Sequence, residues 1–108
     1  MINCFSDAGR LTISPEKVYK EAHNPDEIVI AIYHIPAGFL YSFNCKLGSF
    51  IHSYYPHSEE HSYSTLQDAR RAACNDLSSV IQKSRAAKER CKIFSILGYR
   101  QLELPFEF

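Results

Sequence analysis

The stretch Ile28–Ile35, with the sequence IVIAIYHI, decides the fold class of this chain. Five of its eight residues are isoleucine or valine, and β-branched side chains pack well on a pleated surface. The run is bounded on its carboxyl side by Pro36-Ala37-Gly38, a turn signal. We therefore predict a buried β-strand, around which the rest of the fold is built.

Two further segments on the carboxyl side of this strand have strand patterns. Residues 39–45 alternate between apolar and polar positions, which places Phe39, Tyr41, Phe43 and Cys45 on one face. Lys46-Leu47-Gly48 is a turn signal, and residues 49–55 form the next strand pattern. Three consecutive strands joined by short turns predict an antiparallel meander.

Helix signals flank the three strands. Ser14-Pro15-Glu16 combines a good N-cap residue, a proline at the first helical position and an acid in the first turn. It predicts a short N-terminal helix that runs to about Ala22 and ends before Pro25. After the strands, Ser64 and Gln67 have the spacing of a capping box.

The longest periodic pattern lies between residues 65 and 97. Apolar and small residues recur there at steps of three and four, and the first glycine after them is Gly98. The pattern predicts one long C-terminal amphipathic helix, or two with a bend near Ser84, covering the sheet. The expected fold is α+β: a three-stranded antiparallel meander under that helix in a domain of residues 1–100, with an extended peptide at 101–108.

Composition agrees with a single globular domain. The 108 residues are 45% hydrophobic and 22% charged, and no apolar run approaches the ~20 residues that span a bilayer. The N-terminus has neither a basic start nor an apolar core typical of a signal peptide, so we expect a cytoplasmic protein without membrane contact. The four cysteines, at positions 4, 45, 74 and 91, are interpreted as small buried hydrophobes.

The C-terminal stretch 101–108, QLELPFEF, has a pattern of its own. Leu102, Leu104 and Phe106 alternate with Glu103 and Pro105, so an extended chain presents them on one side. Such a peptide is typical of a ligand that fills pockets on a partner. The predicted partner-binding residues are Gln101, Leu102, Leu104, Phe106 and Phe108. The alternative is an edge strand that buries the same side chains in this domain.

Residues 101–106 resemble the peptide by which many proteins dock on the bacterial DNA-polymerase sliding clamp. That motif has a glutamine, a leucine, a variable residue, a second leucine and a large apolar residue, directly or after one spacer. The resemblance implies that Gln101 occupies a small subsite while Leu104 and Phe106 fill the main pocket. Glu107 and Phe108 extend beyond the motif.

A second hypothesis is nucleic-acid binding. Net charge is zero, but residues 63–100 carry eight basic and three acidic groups. The predicted contacts are the basic residues of the last helical stretch: Lys83, Arg85, Lys88, Arg90 and Lys92. Bases could stack on strand aromatics, namely Tyr41, Phe43, Tyr54 and Tyr55. The alternative is a solvated helix whose cations complement its dipole.

The sequence contains few residue patterns that are typical of a catalytic site. His57, Glu60 and His61 have the order found in inverted zinc peptidases, but they lie in a predicted loop. The alternatives are a weak metal site formed by His57 and His61 with His52, or a solvated loop that binds no metal. No serine lies in a glycine-flanked elbow and no glycine cluster could cradle a phosphate. We expect neither an enzyme nor a cofactor.

The combined prediction is a small non-catalytic adaptor or inhibitor from a bacterial mobile element or phage. It docks its C-terminal peptide on the sliding clamp or on similar host machinery. A phage inhibitor of a host defence system such as a CRISPR nuclease is a neighbouring alternative.

Overall fold

In a computed structural model, which describes residues 11–56 and 62–97, the chain forms one antiparallel sheet and a layer of helices. The strands are β1 (Lys17–His23), β2 (Asp26–Ile35), β3 (Gly38–Leu47) and β4 (Phe50–Tyr54), in the spatial order β1-β2-β3-β4. They are followed by α1 (Leu66–Ile81), α2 (Arg85–Arg90) and a 3-10 turn (Cys91–Ile93). The α+β class is confirmed.

Two-residue connections join all four strands and set their registers. The closing pairs are His23 with Asp26, Ile35 with Gly38, and Leu47 with Phe50. Gly48 in the last turn has φ +65°, a left-handed conformation that favours glycine. A Cβ there would also lie 3.0–3.2 Å from the Arg90 side chain, so this turn accommodates a close approach from α2.

The predicted N-terminal helix is wrong, because residues 17–23 form β1 and the sheet has four strands instead of three. β1 pairs with β2 from Lys17 opposite Ile32 to His23 opposite Asp26. Its sequence KVYKEAH has no apolar stripe for a helix to bury, whereas as a strand it supplies backbone partners to β2. Pairing with β2 therefore outweighs the helix-start signal of Ser14-Pro15-Glu16.

The single long helix is also wrong. α1 ends at Ile81, and Ser84 caps the separate six-residue helix α2 by accepting a hydrogen bond from the Ala87 backbone N–H at 3.2 Å. A serine hydroxyl can satisfy the first N–H groups of a new helix, and the extended backbone of Ser84 ends the helical run of α1 before α2 begins. Thr65, one residue after the predicted capping residue, caps α1 by accepting from Asp68 N at 3.0 Å.

The main core lies between the sheet and the helices. Ile28, Ile30 and Ile32 of β2 are fully buried, and Phe43 of the neighbouring β3 lies beside them. α1 turns its small and apolar residues to this face, where Ala69, Ala73, Cys74, Leu77 and Ile81 are buried. Alanines at two successive turns let the helix approach the sheet closely.

The residues that the structure describes cover the opposite face of the sheet in part. Leu11 and Ile13 pack against Ile35 and Leu40, and with Tyr33 they form a second, smaller cluster. The remainder, which we call the open face, contains the exposed side chains of Val18, Ile51 and Tyr55.

Candidate protein-binding surface at the edge of β1

β1 is an edge strand of the sheet formed by residues 11–56 and 62–97. Its Lys17, Val18 and Lys20 side chains are exposed, while Tyr19 and Glu21 are half-buried beside the helical layer. The outer side of an edge strand presents backbone N–H and C=O groups that another extended segment can pair with. This edge, like that of β4 at the other end of the sheet, is therefore suited to bind a peptide.

Glu21 fastens the segment after the 3-10 turn to this edge. Its Oε1 accepts hydrogen bonds from the backbone N–H groups of Ser95 at 2.8 Å and Ile96 at 2.7 Å. Its Oε2 lies 2.6 Å from the ring Nε2 of His23. Partial burial raises the pKa of Glu21, but the hydrogen bonds from His23, Ile96 and Ser95 outweigh it and leave the pKa below its usual value. The ionised carboxylate thus joins β1 to residues 95 and 96.

Cationic side chains surround the aromatic ring next to this joint. The Arg70 guanidinium lies 4.2 Å from the ring centroid of Tyr19, and the Lys17 ammonium lies 5.7 Å from it. An aromatic face attracts cations through its quadrupole, so Tyr19 holds both charges near the edge. Lys20, on the other side of the strand, lies 3.2 Å from Glu27 in an exposed ion pair.

An open groove of about 530 Å³ runs along the edge. It is lined by Lys17, Val18, Tyr19, Lys20 and Glu21 of β1 and by Ser95 and Ile96. On the helical side of the groove, the two cations of Lys17 and Arg70 outnumber the single ionised carboxylate of Glu21, whereas Lys20 on the other side is paired with Glu27. The groove therefore favours an extended segment that carries carboxylates.

A second carboxylate, Asp26, joins the start of β2 to α2. The Arg90 guanidinium donates to both of its oxygens at 2.9 Å, and the Gly48 backbone N–H donates at 2.9 Å. Hydrogen bonds from Arg90, then from Gly48, hold the pKa of Asp26 below its usual value. Arg90 is accordingly committed to this structural pair.

The residues predicted to bind nucleic acid do not form one surface with the predicted stacking residues. Lys83, Arg85 and Lys88 are exposed around α2, and Lys92 lies 3.1 Å from Glu89 in an exposed pair. The ring of Phe43 is buried beneath the helices, and Tyr54 is half-buried beside it. The exposed ring of Tyr55 belongs to the open face.

Tyr41 is also occupied within the domain. Its hydroxyl donates to Asp76 of α1 at 2.8 Å, and its ring contacts those of Phe43, Tyr54 and Tyr63. Burial, followed by the hydrogen bond to Asp76, raises the pKa of Tyr41. This tyrosine acts as a tie between β3 and α1. Nucleic-acid binding stays a prediction that depends on the basic residues alone.

The predicted metal residues His57, Glu60 and His61 lie outside the described residues. His52, on β4, stacks with Phe43 and Phe50 at centroid distances of 5.9 and 6.4 Å. Within residues 11–56 and 62–97, histidine, cysteine, aspartate and glutamate form no group of three that could hold a metal ion.

The cysteines that the structure describes lie in or beside the core. Cys45 and Cys74 are buried, and Cys91 is half-buried. Burial raises the pKa of Cys45 to about 11, which keeps its thiol protonated at neutral pH. The interpretation of Cys45 and Cys74 as small buried hydrophobes fits this placement.

The predicted partner-binding residues Gln101, Leu102, Leu104, Phe106 and Phe108 also lie outside the described residues. Leu97, the last residue described, is buried in the main core. Sequence reasoning missed the joint of Glu21 with Ser95 and Ile96, since Glu21 and these two residues are more than seventy positions apart along the chain. The only local signal was the position of Glu21 in a charged, alternating segment.

Comparison with protein families, with curated proteins and with solved structures gave no match for this chain. In the part of the chain that the structure describes, neither helix has the length and apolar character needed to cross a membrane.

Proposed function

We propose that this protein is a non-catalytic binding module that docks residues 101–106 in the apolar pocket of the bacterial DNA-polymerase sliding clamp or of a similar host protein. The observation that carries the proposal is the anchoring of the chain at residues 95–97. Glu21 binds the backbone of Ser95 and Ile96, and Leu97 is buried in the core. The peptide is thus attached to a fixed point at the edge of β1.

The folded body supports this arrangement because, within residues 11–56 and 62–97, the buried residues of its main core run from Ile28 to Leu97. Among the described residues, no buried side-chain nitrogen or oxygen lacks a hydrogen-bond partner. In this proposal the apolar residues of the C-terminal peptide are available for a partner.

Leu104 and Phe106 would supply most of the binding free energy. Burial of one such side chain is worth about 1.5–3 kcal/mol, so the pair contributes about 3–6 kcal/mol. A micromolar complex corresponds to about 8 kcal/mol, and hydrogen bonds to Gln101 and contacts of Leu102 would supply the remainder. The expected affinity is therefore in the micromolar range.

The test is a calorimetric titration of the intact chain into a purified bacterial sliding clamp. The double variant Leu104→Ala/Phe106→Ala should lose about a hundredfold or more in affinity. Glu103→Asp is the matched control, because the motif tolerates any residue there and the substitution keeps the negative charge, and it should bind within about twofold of the original chain. Equal affinities for the double variant and the control would refute docking through this peptide.

Inhibition of a host protein is a role that we expect of a small protein from a phage or mobile element. A small chain that occupies the clamp pocket excludes the host proteins that use the same pocket. Inhibition then follows from competition alone and needs no chemistry.

A further inference from the structure

The acidic C-terminal segment has a second binding site within reach, the groove at the edge of β1. We infer that residues 101–107 pair with β1 when no partner is bound. This internal pairing competes with the docking of the same residues on a partner. The pairing is inferred from the geometry and charge of the groove. Its effect on partner binding rests on the proposed function.

The C-terminal segment is long enough to extend along the whole groove. Eleven residues follow Leu97, and an extended chain advances ~3.3 Å per residue, so they cover about 36 Å. The groove runs along five residues of β1, about 17 Å. The preceding segment contacts Glu21, at the far end of the groove from Lys17, so a strand that continues toward Lys17 is antiparallel to β1.

The two faces of the β1 edge match the two sides of the segment. Lys17 and Tyr19, with Arg70 above the ring, lie on the helical side of the sheet, while Val18 lies on the open face, 49% exposed. The segment alternates in the same period, with acidic Glu103 and Glu107 at odd positions and apolar residues at even ones.

Antiparallel neighbours in direct register share a face, so a register that puts Glu103 beside the cations puts Leu102 and Leu104 on the same face of the sheet as Val18. Pro105 lacks a backbone N–H and is acceptable in an outermost strand. Charge and hydropathy are therefore complementary in one and the same register.

The consequence for binding is a competition within the molecule. If the segment is held on β1 for about nine-tenths of the time, its apparent affinity for an external pocket falls about tenfold. Opposite charges on β1 and the segment make the internal complex sensitive to salt. Release of the segment from β1 then becomes part of partner binding.

The test uses the full chain and two double charge reversals of equal size. Lys17→Glu/Arg70→Glu changes the groove, and Lys83→Glu/Lys88→Glu changes exposed residues around α2. In isotope-edited NMR spectra, the original chain and the α2 variant should show nuclear Overhauser contacts between residues 101–107 and β1. The groove variant should lose them, and adding Glu103→Lys/Glu107→Lys to it should restore them.

Absence of these contacts in the original chain would overturn the inference, as would their persistence in the groove variant. Contacts that arise only between differently labelled copies would likewise exclude pairing within one chain. Unfolding curves confirm that each variant folds.

Clamp titrations separate this inference from the proposed function. The groove variant should bind the clamp about tenfold more tightly than the original chain. Equal affinity would overturn the competition. Intact contacts with β1 together with no clamp binding by any variant would refute the proposed function and leave the pairing in place.

Discussion

The two faces of the sheet use apolar residues in different ways. On the helical face, Ile28, Ile30 and Ile32 are fully buried beneath α1. On the open face, Ile51 is 68% exposed and Tyr55 is 51% exposed, because Leu11 and Ile13 cover only the end near Ile35. Among the described residues, apolar burial is therefore concentrated on the helical face, whereas Val18, Ile51 and Tyr55 on the open face are exposed.

The largest difference should come from truncating a core side chain on the helical face. Leu77→Ala removes buried methyl groups from α1 and leaves a cavity, which costs about 2–5 kcal/mol. Ile51→Ala on the open face should change the free energy of unfolding by no more than about 0.5 kcal/mol. Urea unfolding measures both, and similar losses would show that the two faces contribute equally.

A smaller loss should follow when the joint between β2 and α2 is neutralised. Asp26→Asn removes the charge that binds Arg90 in a bidentate pair, while Glu27→Gln removes only an exposed partner of Lys20. We expect the urea midpoint of the Asp26 variant to fall clearly below that of the Glu27 variant. Indistinguishable midpoints would mean that Asp26 and Arg90 do not hold the helical layer on the sheet.

The same joint predicts a dependence on acid. Because the folded pKa of Asp26 is lowered, its ionised form stabilises the protein fully above the unfolded pKa of about 3.9. This contribution is lost as the pH falls through the lower, folded pKa. The unfolding free energy of Asp26→Asn should therefore decline less steeply below pH ~4 than that of the original chain. Parallel declines would contradict the assignment.

The smallest contrast concerns two tyrosine hydroxyls. Tyr41→Phe removes the hydrogen bond to Asp76 beneath the helices and should cost about 0.5–1.5 kcal/mol. Tyr55→Phe removes contacts with Asn44 on the open face, where water replaces them, and should cost less than about 0.5 kcal/mol. A larger loss at Tyr55 than at Tyr41, measured by urea unfolding, would reverse the ranking of the two faces.

Local patterns in the sequence predict β2, β3 and β4 well, because alternation and turn residues are properties of adjacent positions. The segment predicted at 39–45, for example, lies within β3 at Gly38–Leu47. β1 was not predicted because its strand conformation depends on pairing with β2, which a local pattern does not show. The preceding Ser14-Pro15-Glu16 fits a helix start and favoured the wrong element. The sequence left one long helix and two helices with a bend near Ser84 as alternatives, because Ala87 continues the apolar spacing of α1 across Ser84, and the structure has the break there.

The candidate site was less accessible from sequence. Glu21 and Asp26 flank one hairpin turn, yet their partners in and after α2 lie 64 to 75 residues further along the chain. Nothing in the local pattern distinguishes these acids from exposed Glu27. Only the packing of α2 and the following turn against the sheet brings Arg90 and Ser95 to them.

The most direct test of the central claim is competition by the peptide alone. The intact chain is bound to an immobilised sliding clamp, and a synthetic peptide of residues 101–108, QLELPFEF, is added in solution. We predict that saturating peptide releases the chain completely and that a scrambled peptide of the same composition releases none. If the chain stays bound at saturating peptide, its contact with the clamp lies in the folded body and the account is wrong.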